Sequence, residues 1–353
     1  MGKDSAFNKQ KDRDYRIKLE AMKKNLPVYT HEFLDSKAQR NPNTAVAYAY
    51  DLEIFLTYLK EFGPVDDNID IKNISIELLN QLTYQDINEY QKYLSAKDIT
   101  IVGSNNLQNN ENGIARRMST LSSFFKYQCE RHELENDPTL GANKPRIKEG
   151  DHAIIRMTPN EVNDFLNTIK NCAVGTPRQQ KLLKLSQYRD LAILTLLLRT
   201  GIRVSECVSL DLSDLNFNEN SMCVVRKGGK EHFLYFDDIT KEALLDYIEL
   251  ERPSYIENDD EPALFMSLKR KRLAVRSIQE MVKKYAEVAV PNKKLSPHKM
   301  RSTYGTALYN STGDIRLVAD VLGHSDINTT AKHYAASEDA HRRQAAKVDP
   351  YSE

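Results

Sequence analysis

Apolar residues recur at helical spacing along most of the chain, and the first half reads as helices alone. Residues 1 to about 40 are polar and weakly helical, interrupted at Leu26-Pro27. Asn41-Pro42 then opens a strong helix. Proline suits a first helical turn, and Val46, Tyr50, Leu52, Ile54, Phe55, Leu56 and Leu59 follow at near-helical intervals until Gly63. Thr83 with Asp86 has the form of a capping box before Ile87, Tyr90 and Leu94. Gly103 to Asn112 is Asn-rich and loop-like. The next helix carries Ile114, Met118, Leu121, Phe124 and Phe125 on one face, with Arg116, Arg117 and Lys126 elsewhere, and ends at Asn136-Asp137-Pro138.

The polar, Pro- and Gly-containing stretch from Gly141 to His152 has the composition of an interdomain linker. The expected organisation is a helical N-terminal domain over residues 1–140, a linker over 141–153 and a second domain over 154–353. Thr158-Pro159-Asn160-Glu161 combines an N-cap, a first-turn proline and a capping glutamate, so a helix opens the second domain. Arg189 to Thr200 is nearly continuous in Leu, Ile and Ala, which predicts a buried central helix closed by Gly201. Two β-prone runs, Met222 to Val225 and Phe233 to Phe236, flank Lys227-Gly228-Gly229-Lys230 and predict a hairpin with lysines at its tip. Helical patterns resume at Leu244 to Leu250, Val275 to Val288, Arg301 to Asn310 and Ile315 to Leu322. The predicted fold is therefore mainly α, in two domains able to clamp a rod-shaped partner, with one small β-hairpin.

Composition narrows the class. The chain has 353 residues, 40 % of them hydrophobic and 28 % charged, with no apolar window long enough to span a bilayer and no apolar leader at its start. A cytoplasmic protein with no membrane association is expected. Cys129, Cys172, Cys207 and Cys223 lack metal-ligand spacing and read as a reduced, non-catalytic set; neither a metal nor another cofactor is expected. Fifty basic and fifty acidic side chains give no net charge, which argues mildly against a nucleic-acid binder. The distribution argues the other way. Between Lys269 and Arg301 lie eleven Lys and Arg, among them Lys269, Arg270, Lys271, Arg272 and Arg276, against Glu280 and Glu287 only. Such a run is either a solvated face or a stripe for a phosphate backbone.

Several polar side chains sit directly beside the apolar patterns. Arg203 follows the buried helix, with Glu206 three residues on to hold its guanidinium; taken alone, the two read as a surface ion pair. His298 and Arg301, three apart behind Pro297, share one helix face, a spacing that is common by itself. An arginine forks onto two phosphate oxygens, and a histidine near neutral pH takes or gives a proton. His324 follows Gly323 at a helix end, and Tyr334 comes ten residues later. One tyrosine among eighteen is ordinarily a core ring, and only the company of these arginines and histidines makes a nucleophile of it.

The order GIRVSE (Gly201 to Glu206), a lysine hairpin, SPHKMRST (Ser296 to Thr303), LGHSDINTT (Leu322 to Thr330) and a terminal-region tyrosine resembles the tyrosine site-specific recombinases of the phage integrase family. The similarity is greatest to the bacterial Xer-type members, and it is specific from Arg189 to Tyr334. The resemblance implies that Arg203, Lys227, His298, Arg301 and His324 surround a scissile DNA phosphate and that Tyr334 attacks it. His298 would accept a proton, and Lys227 would be the acid for the departing 5′-hydroxyl. It implies a homotetramer on paired double-stranded recombination sites, a terminal helix after Ser337 that packs into a neighbouring subunit, and a DNA translocase as a candidate activator. It further implies nucleoid association and a role in chromosome partition at cell division, or in integration and excision of a mobile element. Lys230 becomes a DNA-backbone contact beside Lys227, and Arg116, Arg117, Lys126 and Lys269 to Arg276 are further candidates. The spacing from His324 to Tyr334 is one residue longer than the family pattern, which implies an extra residue in the connecting turn.

Three other readings stand beside this one. A DNA-binding module of the same fold would lack part of the catalytic set. A metal-dependent hydrolase would use His298, His324, His333 and Asp326, although no acidic cluster accompanies them. A type IB topoisomerase shares the chemistry, but the LGHSD motif and two-domain layout look more like a recombinase.

Overall fold

A computed structural model describes residues 6–63, 68–96, 111–143, 155–226, 229–257, 260–323 and Ile327. Those up to 143 form one compact unit and those from 155 a second. The chain is mostly helical with one small antiparallel sheet.

The first unit contains α1 (Ala6–Lys23), α2 (His31–Arg40), α3 (Pro42–Phe62), α4 (Ile76–Asn80), α5 (Tyr84–Ser95) and α6 (Glu111–Glu130). The stretch before Asn41, weakly helical by pattern, is two well-formed helices separated at the expected Leu26-Pro27 break. Its sparse apolar residues suffice because Leu19, Leu26, Phe33 and Leu34 are all buried against α3 and α6. Helix α3 begins where its proline predicts: the Asn41 side chain accepts from the Thr44 N–H at 3.2 Å. Thr83 and Asp86 form the expected box at α5, the Asp86 carboxylate accepting from the Thr83 N–H at 2.7 Å. Phe33, Phe55, Tyr90, Phe124 and Phe125 pack edge to face through the centre.

Sequence periodicity missed one feature of this core. Asp51, on the inward face of α3 and 1 % exposed, receives both terminal nitrogens of Arg116, one at 2.7 Å, and the Thr120 hydroxyl at 2.7 Å. Arg117 Nε lies 3.6 Å from the same carboxylate. Arg117 is 8 % exposed, so this guanidinium, expected on DNA, is turned into the core by the charge it meets there. Arg116 keeps about half its surface, and Lys126 is exposed beside Glu130.

The second unit begins with α7 (Pro159–Lys170), opened by the predicted Thr158 box, and α8 (Pro177–Leu183). Next come α9 (Gln187–Thr200) and α10 (Val204–Ser209), then the strands β1 (Leu215–Asn216), β2 (Ser221–Val225) and β3 (Glu231–Tyr235). Four helices follow: α11 (Asp238–Asp246), which continues into a π-turn over Tyr247–Glu251, α12 (Val275–Ala289), α13 (Pro297–Thr312) and α14 (Ile315–Leu322). Helix α9 is the axis expected from its composition, with Ala192 to Leu197 fully enclosed. Its first turn is pinned by Asp190, which accepts from Tyr285 Oη at 3.0 Å and Arg189 Nη2 at 2.8 Å and lies 3.5 Å from Lys284 Nζ. The sheet runs β1-β2-β3 with Cys223 opposite Phe233 and Val225 opposite Glu231.

Removing the Asp51 carboxylate takes a buried counter-ion from Arg116 and Arg117. Asp51→Ala is expected to lower the stability of the first unit by about 3–5 kcal/mol, read from the denaturant midpoint of its unfolding transition.

Candidate functional site

The Gly201–Glu206 segment is shaped by two constraints. Gly201 ends α9 at φ 62°, and an added Cβ would lie 2.5 Å from Tyr304 Cδ1 and 2.9 Å from Leu322 Cδ2. The tight, left-handed turn lets the chain reverse into α10 while α13 and α14 press against it. Glu206, 5 % exposed, then reaches back to the Arg203 N–H at 3.0 Å and to Arg203 Nη1 at 2.7 Å, the role its spacing predicts.

Arg203 and Arg301 come together on a single feature, the carboxyl end of α14. Arg203 Nη2 donates to the Gly323 carbonyl at 3.0 Å. Arg301, on α13 and 4 % exposed, donates through Nη2 to the Leu322 carbonyl and through Nη1 to the Gly201 carbonyl. Arg203 keeps 37 % of its side-chain surface, so of the two it is the guanidinium open to an incoming anion. His298 is exposed in the first turn of α13, three residues before Arg301, behind the expected Pro297 and a Ser296 cap that the structure adds. Lys227, His324 and Tyr334 lie outside the described residues, as do Asp326, His333 and the segment after Ser337.

A third guanidinium at the same place escaped sequence reasoning. Arg226, the residue after β2, donates to the Asp320 carbonyl at 3.4 Å and the Val321 carbonyl at 2.8 Å, and its Nε lies 3.9 Å from Glu206 Oε1. Burial lowers its pKa, the Glu206 carboxylate opposes that shift, and the neighbouring Arg203 charge adds to it. The sequence signal was an arginine just after a mostly apolar strand, eclipsed by the lysines beside it. Neighbouring Cys207 is fully enclosed and its thiol is pushed well up by burial, which makes it inert.

The expected basic stripe does not form one surface. Arg272 bonds the Val208 and Leu210 carbonyls at 3.1 and 2.9 Å and pairs with Asp211, so its charge is spent holding the α10 exit loop. Lys284 turns toward Asp190, and Lys293 bonds Glu161 and the Arg156 carbonyl, each at 2.7 Å. Arg276 pairs with Glu280 and Lys283 with Glu287 along the solvated face of α12. Lys269, Arg270 and Lys271 remain exposed in one turn, Arg270 beside Glu257, and Lys230 is exposed at the hairpin. Among the described residues no three His, Cys, Asp or Glu side chains are grouped to hold a metal, and no helix is long and apolar enough to cross a membrane.

Substituting Gly201 tests whether this convergence depends on the turn. Gly201→Ala is expected to cost about 1–3 kcal/mol from its left-handed backbone alone, with further loss from the Tyr304 and Leu322 clash. A thermal melt that matches the parent would contradict the packing described.

Comparison with known proteins bears on this geometry. The sequence profile described as the phage integrase family matches residues 155–341, which contain all six expected catalytic positions. The tyrosine recombinase XerC of Caldanaerobacter subterraneus subsp. tengcongensis is 33 % identical over 347 residues, covering 95 % of this chain and 90 % of that protein. The tyrosine recombinase XerS of Streptococcus agalactiae is 30 % identical over 341 residues, covering 89 % and 93 %. In fold, the chain is similar to the XerH site-specific recombinase in a post-cleavage complex with a palindromic difH substrate, at a TM-score of 0.62 and 19 % identity, covering 88 % of this chain and 82 % of that one. A lambda integrase dimer bound to a COC′ core site gives 0.59 at 14 % identity, covering 88 % and 77 %. With a family match over more than half its length and relatives aligned nearly end to end, the chain belongs to the phage integrase family, the tyrosine recombinases.

Proposed function

We propose that this enzyme breaks and rejoins DNA strands at specific sites through a 3′-phosphotyrosine intermediate, with Tyr334 as nucleophile and no metal ion in the chemistry. The observation that carries the reading is the gathering of Arg203 and Arg301 on the carboxyl end of α14, immediately before His324 in the chain. Guanidiniums held in place at the scissile phosphate offset the charge that builds on its non-bridging oxygens in a pentacoordinate transition state, and Arg203 is the one already open to an anion. Such donors are worth about 10²–10³ in rate apiece when aimed at developing charge.

In this scheme the Tyr334 oxygen forms a bond to phosphorus as the bond to O5′ breaks. His298 takes the phenolic proton, and Lys227 supplies one to the departing O5′. The phosphotyrosine linkage conserves the energy of the phosphodiester, so a 5′-hydroxyl from another strand reverses the step and completes an exchange. The first unit and the linker over 141–153 would let the protein embrace the duplex. Lys230, Lys269, Arg270 and Lys271 are the exposed cations best placed in sequence to meet its backbone, and Arg116 and Lys126 those of the first unit.

The assembly we propose is a homotetramer on two paired sites, joined by the segment after Ser337. Resolution of chromosome dimers, with a DNA translocase as activator, is the biological role favoured by the extent of alignment to Xer-type relatives. Integration and excision of a mobile element is the alternative within the same chemistry.

Covalent trapping tests the reading. Incubated in EDTA with nicked suicide duplexes drawn from sites around its own gene and the replication terminus, the protein is expected to form a denaturation-resistant adduct with one of them. Tyr334→Phe should bind that duplex as before and form none. Clear binding without any adduct would point to a DNA-binding protein, and cleavage that appears only with added magnesium would point to a hydrolase.

A further inference from the structure

Arg226 has no part in the scheme above, yet it touches both the hairpin and the carboxyl end of α14. Its backbone closes the hairpin: the Arg226 N–H donates to the Lys230 carbonyl at 2.9 Å, and the Arg226 carbonyl accepts from the Gly229 N–H at 3.0 Å. Its side chain, 6 % exposed, leaves the hairpin and forks onto the Asp320 and Val321 carbonyls of α14. The guanidinium lies against Gly323 so closely that a Cβ there would sit 1.8 Å from Nη1. Its Nε faces Glu206, whose carboxylate also grips Arg203.

We propose that Arg226 is a positioning residue that fixes the β2–β3 hairpin to the carboxyl end of α14, and that the acid step assigned to Lys227 depends on it. The proposal rests on the assignment of Lys227 as the acid. Arg226 immediately precedes Lys227, and the two carbonyls it bonds lie just before Gly323-His324. One side chain therefore ties together the two backbone segments that lead into these positions. The last carbonyls of a helix are short of intrahelical partners, and a planar fork reaches two successive ones at once, here Val321 and Asp320, the latter also accepting from the Gly323 N–H at 2.8 Å. A lysine satisfies one at a time, and an apolar side chain none.

A structural plug and a positioning residue differ in what chemistry repairs the loss. If Arg226 acts through the acid, its removal matters only while the departing O5′ needs a proton. Sulfur in place of the bridging O5′ leaves as a thiolate and needs none, because a thiol is far more acidic than an alcohol. The experiment compares the rate of adduct formation on paired suicide duplexes, one with oxygen and one with sulfur at that bond, for the parent protein, Arg226→Ala, Arg226→Lys and Lys227→Ala. Misplacement of a reacting group by about an ångström costs on the order of 10²-fold, so Arg226→Ala should slow by that factor on the oxygen duplex and recover on the sulfur duplex. Lys227→Ala should show the same recovery, and Arg226→Lys should fall between, with DNA binding unchanged in all three.

Recovery of Lys227→Ala but not of Arg226→Ala would overturn the proposal and leave the catalytic scheme standing. Failure of Lys227→Ala to recover would remove the acid assignment and the proposal with it. An Arg226→Ala protein that cleaves the oxygen duplex at the parent rate would overturn it as well. Should Arg226→Ala not fold, Arg226→Lys carries the comparison: equal slowing on both duplexes counts against the proposal, and recovery on sulfur supports it.

Discussion

The carboxyl end of α14 is the constraint on which the site depends. Four successive carbonyls, Asp320 to Gly323, receive guanidinium nitrogens from three arginines that arrive from three different places: Arg226 from just after β2, Arg301 from α13 and Arg203 from the turn into α10. A helix ends with unpaired acceptors and a partial negative charge, and here both are met by cations. The arrangement solves a problem that any phosphate site poses. Arginines repel one another, and left alone they would spread into solvent; anchored to one helix end, they stay together, with Arg203 open to an anion.

Their charge is not cancelled in the process. Carbonyls neutralise nothing, and one buried carboxylate, Glu206, faces two of the three guanidiniums. The locality keeps a positive excess even though the whole chain has none. That is why overall charge misleads for this protein. Many of its basic groups are matched inside their own units: Arg116 and Arg117 by Asp51, Arg272 by Asp211, Lys284 by Asp190 and Lys293 by Glu161.

Much of this was legible in the sequence, for reasons that can be named. The starts of α3, α5 and α7 carry their caps in the local sequence, the run from Ala192 to Leu198 has the composition of a buried axis, and Gly201 marks the end of α9. Arg203 and Arg301 stood out because each abuts an apolar helix in a motif of known order. Less legible were features made by tertiary partners. Periodicity does not show that Asp51 is buried, and so did not show that Arg117 would follow it inward. A run of basic residues in sequence cannot reveal that Arg272 and Lys284 face opposite directions from Lys271 and Lys283. Arg226 was hidden because its importance lies in carbonyls nearly a hundred residues away, and a carbonyl leaves no mark in a sequence.

The most direct test of the account concerns the charge that Arg203 is said to meet. The rate of adduct formation would be compared on two suicide duplexes, one with the natural scissile phosphate and one in which a methyl group replaces a non-bridging oxygen, so that the negative charge is gone. Loss of a donor aimed at developing charge costs about 10²–10³ in rate, so Arg203→Ala should be slower than the parent by that factor on the natural phosphate. On the neutral phosphate the two proteins should react at similar rates, because there is no longer a charge for the guanidinium to offset. An equal deficit of Arg203→Ala on both duplexes would contradict the account, and would make Arg203 a brace for α14 rather than a ligand of the phosphate.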